Sequence, residues 1–201
     1  MSAEREQLVL NVGCGPPPGQ LPPHFAHWRQ VRVDLDPAMQ PDVIASLTDL
    51  SPIPAACADA LWAAHCVEHL YAHEVPRALA EFRRVLRPEG FACIIVPDLQ
   101  SVAQHVAADR MHETLYQSAA GPITPHDVFF GHGAAIAAGQ SAMAHRCGFT
   151  PGMLQQYFRE QAFAEVLLQR RVGHFELVAL ARMSAARDAG ERAALMASLG
   201  I

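Results

Sequence analysis

The sequence predicts an α/β chain built on a doubly wound, mostly parallel sheet with a C-terminal antiparallel hairpin. Three observations carry this reading. Short apolar runs alternate with helical stretches through the first half of the chain. The first run stops at a glycine turn, and the second ends in an acid. The last two strand-like runs lie next to each other, joined around Gly173.

The elements follow in order. Leu8–Val12 (LVLNV) is a buried-strand pattern halted by Gly13-Cys14-Gly15 and three prolines. Residues 30–35 (QVRVDL) alternate polar and apolar and end in acids before Pro37, as a second strand does. Residues 42–46 give a short third strand, and Ala58–Ala64 a fourth that runs straight into His65. Residues 74–86 carry Val75, Leu79, Phe82, Val85 and Leu86 at helical spacing, with Pro88-Glu89-Gly90 expected to end the helix. Residues 91–96 (FACIIV) are continuously apolar, the pattern of a parallel strand covered on both faces. Strands separated by helices or long crossovers imply βαβ units.

Beyond residue 100 the pattern loosens. Residues 101–118 read as helical, and 119–150 are rich in Gly, Ala and His without a clean period. Pro151–Glu160 reads as a helix capped by Thr150 with proline at its first position. Residues 164–171 and 175–181 are the closing hairpin. Residues 187–199 are an Ala-rich helix or a frayed tail. With no repeats and no low-complexity linker, residues 1–201 are expected to form one domain.

Composition removes several functions. The 201 residues carry a formal net charge of -5, and every one of the 15 basic residues is Arg. No stretch is dominated by Arg, which argues against binding nucleic acid through phosphate neutralisation. No run approaches the roughly 20 apolar residues of a membrane span, so no membrane partner is expected. Residues 1–7 are charged and short, unlike a secretory signal. The five cysteines are scattered and never form CxxC, so neither a disulfide framework nor a thiolate zinc knot is expected, and a reducing cytoplasm is. The 11 histidines are the compositional oddity.

A strand ending in a glycine turn, with an acid closing the next strand, is the signature of nucleotide or nucleoside binding in a doubly wound sheet. Glycines let the backbone pass close to the ligand, and the carboxylate accepts the ribose hydroxyls. The carboxylate is Asp34, at the expected interval of about twenty residues from Gly15. Two ligand classes then fail. A dinucleotide turn would need glycine at position 18, which is Pro18, and prolines 16 to 18 offer no N–H groups to a pyrophosphate. The phosphate-binding G-x-x-x-x-G-K-[ST] loop needs a lysine, and the sequence has none. A nucleoside ligand without phosphates remains, of which S-adenosylmethionine is the common one.

Five stretches in register then carry a resemblance: LVLNVGCG (8–15), VDLDP (33–37), DVIASLTDLSPIP (42–54), ADALWAAHCVEHL (58–70) and EFRRVLRPEGFACIIVPD (81–98). In them the chain resembles the class I S-adenosylmethionine-dependent methyltransferases, particularly the small bacterial group related to methyltransferase domain type 11. The resemblance implies a Rossmann-like fold and S-adenosylmethionine as cofactor. It implies that Gly13, Cys14 and Gly15 pack under the methionine and sugar, with Asn11 where the family has an acid. Asp34 would bind the ribose diol and Leu35 would lie on the adenine. Leu47 and Thr48, or Asp49, would meet the adenine edge, and Ala64 and His65 would flank the transferable methyl. Pro17, standing at the usual third glycine, implies a different loop path into a shortened first helix.

Histidine remains to be placed. His65-Cys66-Val67-Glu68-His69 matches H-x-x-E-H, and on a helix His65, His69 and His73 would share one face. A zinc hydrolase would also want an acidic ligand downstream, for which Glu113 is the candidate. The methyltransferase register favours the plainer reading, in which Glu68 and His69 cap and orient the loop beside the cofactor and no metal is bound. In the family, the segment 99–150 supplies the substrate pocket or lid. Here it holds His112, His126, His132 and His145. An imidazole titrates near about 6.5 and suits deprotonation of an attacking oxygen or nitrogen. His132 and His145 are therefore the preferred catalytic candidates. The expected partner is a small-molecule methyl acceptor, and a second copy in a homodimer is allowed for. An S-adenosylmethionine-binding protein without transfer activity is the main alternative.

Overall fold

In the computed structural model, residues 5–19 and 21–201 are described; residues 1–4 of the charged N-terminal segment lie outside them. The sheet has seven strands. They are β1 (Leu8–Val12), β2 (Arg29–Asp34), β3 (Val43–Ile44), β4 (Ala58–Ala64), β5 (Leu86–Pro97) and, from the C-terminal hairpin, β8 (Glu165–Arg171) and β9 (Glu176–Arg182). Their order is β3-β2-β1-β4-β5-β9-β8. The first five pair in parallel, while β9 runs antiparallel to both β5 and β8. A second sheet pairs only β6 (Tyr116–Ser118) with β7 (Gly121–Ile123). The order reverses at β1, so the crevice beyond the C-terminal ends of β1 and β4 is where a doubly wound sheet binds its ligand.

Period-two alternation sends each strand's side chains to two separate cores. Leu10, Val12, Leu61, Ile94 and Leu177 face α1 (Val75–Val85) and α5 (Pro151–Glu160), whose Leu79, Phe82, Leu154 and Phe158 are fully buried against them. Val9, Trp62, Phe91, Cys93 and Leu180 face the other way. There the crossover from β1 to β2 supplies no α-helix among the described residues. Its only helical element is a 3-10 turn, Pro23–Phe25, which seats Phe25 on the sheet. The C-terminal helix α6 (Ala189–Ser198) packs on this face through Leu195 and Met196, with Leu199 just past its end. The frayed-tail alternative for residues 187–199 is thereby corrected, and the shortened first helix is reduced to one turn.

Two further expectations change. The helix over 74–86 stops at Val85, and Pro88-Glu89-Gly90 lie inside β5 instead of ending the helix. Pro88 forces extended geometry on the residue before it. The strand therefore starts at Leu86, which pairs with Ala58 before a register shift restores the ladder at Ala60 and Phe91. The helix expected over 101–118 is α2 (Leu99–Ala107), capped by Asp98, which accepts from the amides of Gln100 and Ser101. Asp109 in the left-handed region (φ 57) ends it, and residues 116–118 are strand. Two short helices follow, α3 (Pro125–Phe130) and α4 (Gly133–Ala137). Thr124 and Asp127 form a reciprocal capping box on α3.

Candidate active site

The glycine turn after β1 is shaped by left-handed backbone. Gly13 and Gly15 have φ of 62° and 60°. A Cβ on Gly13 would stand 2.5 Å from that of buried Cys66, so this position has no room for a side chain. Gly15 faces open space. Cys14 is buried, and burial pushes its thiol up, as it does that of Cys66. Both thiols are therefore packing groups at neutral pH. Asn11 is buried beneath Gly19.

Asp34, at the end of β2, accepts from the Gly15 amide on one carboxylate oxygen and from the Asp36 amide on the other, each at 3.0 Å. The acid thus holds the glycine turn and the following turn together, with oxygen lone pairs to spare for hydroxyls. Leu35 beside it is 68% exposed, an apolar surface open to a flat ring. Thr48 hydrogen-bonds the Ser46 hydroxyl at 2.9 Å, and half-buried Leu47 packs on the core. Asp49 accepts from the Ser51 amide in its own turn.

Arg32 was not legible as a site residue. Its guanidinium donates to the carbonyls of Gly15, Met39 and Gln40 at 2.6–2.9 Å, clasping the glycine turn to the turn after Asp34. Arg32→Met is expected to lower unfolding free energy by about 1–3 kcal/mol, because charge-assisted bonds to three carbonyls disappear. Urea denaturation measures this, and unchanged stability would contradict the clasp.

At the end of β4, Ala64 leads into His65, whose φ of 52° turns the chain sharply. Its Nε2 meets the carboxylate of Glu176 at 3.0 Å, and its Nδ1 lies 3.6 Å from Glu68. Burial alone would lower the pKa of His65. The two carboxylates outweigh it and lift the imidazole to about 10, so it is an imidazolium at neutral pH. Glu176 arrives from β9, opposite Pro97 of β5, and also pairs with Arg171 at 3.1 Å. Only strand pairing more than a hundred residues away in sequence brings it here, so no local signal could have revealed it.

The segment after His65 is not the helix that the metal reading would need. A single 3-10 turn, Val67–His69, precedes α1, so His65, His69 and His73 share no helical face, and no side chain caps the turn. His69 instead directs Nδ1 to the Ala144 carbonyl at 3.1 Å. Glu113 is drawn off by His105 and Arg110.

A cavity of about 150 Å3 opens beside this turn. His65, Glu68, His69, Tyr116, Asp127, His132 and His145 all line it. Of the four histidines in the 112–145 segment, His132 and His145 reach the cavity, while His112 stacks on His126 apart from its lining. His145 places Nδ1 2.9 Å from the Val128 carbonyl, and burial lowers its pKa. A carbonyl can only accept, so Nδ1 carries the proton and Nε2 keeps a free lone pair.

Parallel strands in this order, a glycine turn and an acid closing the second strand define the class I methyltransferase fold. Residues 10–94 match the family model described as Methyltransferase domain, so this first half carries the type 11 resemblance. Solved methyltransferases share the fold over nearly the whole chain. One from Methanosarcina mazei aligns with a TM-score of 0.60 at 13% identity, covering 92% of this chain and 95% of that one. One from Archaeoglobus fulgidus gives 0.56 at 12% identity, covering 88% and 86%. The 1,6-didemethyltoxoflavin-N1-methyltransferase of Burkholderia thailandensis, solved with bound 1,6-didemethyltoxoflavin and S-adenosylhomocysteine, gives 0.54 at 20% identity, covering 90% and 72%. No curated protein matches the chain by sequence.

Proposed function

We propose that the protein transfers a methyl group from S-adenosylmethionine to a small molecule held in the cavity of His65, His132 and His145. One observation carries this reading. His65 lines the cavity, and its neighbour Cys66 packs against Gly13 of the turn that Asp34 holds, which supports a nucleoside at that turn lying next to a molecule in the cavity. The cofactor is the one that the methyltransferase-domain match and the fold imply.

In this reading Asp34 accepts the ribose hydroxyls, Leu35 supports the adenine, and Gly13 and Gly15 let the backbone approach the sugar and methionine. Asn11, Cys14, Leu47 and Thr48 shape the surrounding walls. Methyl transfer is an in-line displacement at carbon: the acceptor's lone pair forms the new bond as the carbon–sulfur bond breaks, leaving a neutral thioether. Alignment and exclusion of water are the main contributions a protein makes to such a step. If the nucleophile carries a proton, His132 or the neutral His145 is placed to remove it. Segment 99–150 is the acceptor side of the site. The acceptor is a small molecule and not a nucleic acid, in keeping with an acidic chain that has no Arg-dominated stretch. We place the protein in the cytoplasm and leave room for a homodimer. No helix among the described residues is long and apolar enough to cross a membrane.

Calorimetric titration tests the reading. S-adenosylhomocysteine is expected to bind once per chain while NAD does not. A panel of phenols, amines and thiols should then yield S-adenosylhomocysteine with at least one acceptor. No binding of either S-adenosyl compound would overturn the assignment. Binding without turnover across the panel would favour the non-transferring alternative.

A further inference from the structure

We infer that Glu68, His69 and His145 form a binding site for a first-row transition-metal dication, of which zinc is the representative, on the floor of the acceptor cavity. One carboxylate oxygen of Glu68 and one nitrogen of each imidazole lie within 4.8 Å of one another. Two imidazoles and a carboxylate are a donor set that zinc and its neighbours accept, and three protein ligands leave coordination positions open.

Glu68 is the observation that points to a ligand. It is 1% exposed, and neither carboxylate oxygen receives a hydrogen bond. Its charge partner is Nδ1 of His65 at 3.6 Å, beyond hydrogen-bond reach. A buried carboxylate without hydrogen bonds is costly, and a dication beside it removes that cost.

The two histidines are already oriented. His69 gives its Nδ1 proton to the Ala144 carbonyl and His145 gives its own to the Val128 carbonyl. Each is thereby left with an Nε2 lone pair that this bond does not use, the arrangement in which a backbone carbonyl fixes the tautomer of a metal-binding imidazole. The backbone of the two segments is pinned as well. The amides of Arg146 and Cys147 both donate to the Glu68 carbonyl, at 2.9 and 3.2 Å, and the His145 amide donates to the Phe130 carbonyl at 3.1 Å. Ligand atoms around a tetrahedral zinc stand about 3.4 Å apart, so small side-chain rotations close the set.

Asp127 and His132 line the same cavity. A bound dication would take an acceptor oxygen or nitrogen and favour its deprotonated form. With Nε2 of His145 engaged, His132 is the imidazole left free to move a proton. This bearing on methyl transfer rests on the function proposed above; metal binding itself does not.

The test uses the full chain stripped with a chelator, then titrated with zinc and separately with magnesium. One equivalent of zinc is expected, with magnesium far weaker. Cobalt substitution should give the intense visible bands of a four-coordinate site. Glu68→Gln and His145→Asn should each weaken zinc binding by more than about a hundredfold, beyond what loss of an outer-sphere partner costs. Both should abolish the cobalt bands, while His112→Asn leaves them unchanged. Circular dichroism and thermal unfolding of the same samples show whether each variant is folded, and S-adenosylhomocysteine is titrated into the wild type beside them. Absence of stoichiometric zinc in the wild type, or equal uptake by both ligand variants, would overturn the site. Zinc binding without S-adenosylhomocysteine binding would instead overturn the methyltransferase reading and leave the metal site standing.

Discussion

Asp34→Ala is expected to weaken S-adenosylhomocysteine binding at least tenfold, and this is the largest effect that a single side chain should have on the cofactor. A charge-assisted hydrogen bond contributes about 1.5–3 kcal/mol, and a ribose diol makes two. The carboxylate has a second task, since it receives the amides of Gly15 and Asp36. Removing it loosens the glycine turn as well as the ribose contact. Asp34→Asn separates these tasks, because its amide oxygen can still accept one amide but its NH2 cannot accept a hydroxyl proton. Calorimetry should rank the affinities as wild type, then Asn, then Ala. Equal affinity for all three would remove Asp34 from the site.

Gly13→Ala should cost about 2–5 kcal/mol of stability, combining the strain of a left-handed φ with overpacking against a buried neighbour. The clash falls on the Cβ of Cys66, which lies in the main core and has little freedom to retreat. Gly15→Ala is the matched comparison. Its φ is nearly the same, yet nothing stands within 4 Å of the added carbon, so only the strain is paid. Chemical denaturation should show Gly13→Ala as clearly the worse of the two. Adding Cys66→Gly should recover part of the loss. If the two single variants are equally stable, close packing of the turn on Cys66 does not set the requirement.

The parts of the molecule that the sequence revealed are those fixed by neighbours in the chain. Alternation along Leu8–Val12 and Ala58–Ala64, the glycines after β1, and Thr150 before Pro151 all act within a few residues, so pattern suffices. Long-range chemistry is different. Glu176 reaches His65 only because β9 inserts beside β5, and Glu68 meets His145 only because the 144–147 strap hydrogen-bonds back to it. Nothing near those residues in sequence announces the pairing. The overlong helix after residue 100 failed for a subtler reason. Val102 and Val106 keep helical spacing, and the stop is an aspartate in left-handed conformation, which carries a weaker signal than glycine. The letters H-x-x-E-H do not by themselves say whether the backbone is helical, and here they fall on a 3-10 turn.

The place of β5 in the sheet bears on how the chain acquires its fold. This strand joins β4, about thirty residues earlier, to β9, about eighty residues later, and both partners are needed to pair its two edges. The stretch 10–94 that matches the methyltransferase domain ends inside β5. Until residues 176–182 emerge from the ribosome, a nascent chain would present β5 as an unpaired apolar edge, and the face with Trp62 and Phe91 would lack α6. The most recognisable half of the protein is therefore an incomplete folding unit. Its period of greatest exposure to aggregation or chaperone capture falls while the acceptor-side segment is being made.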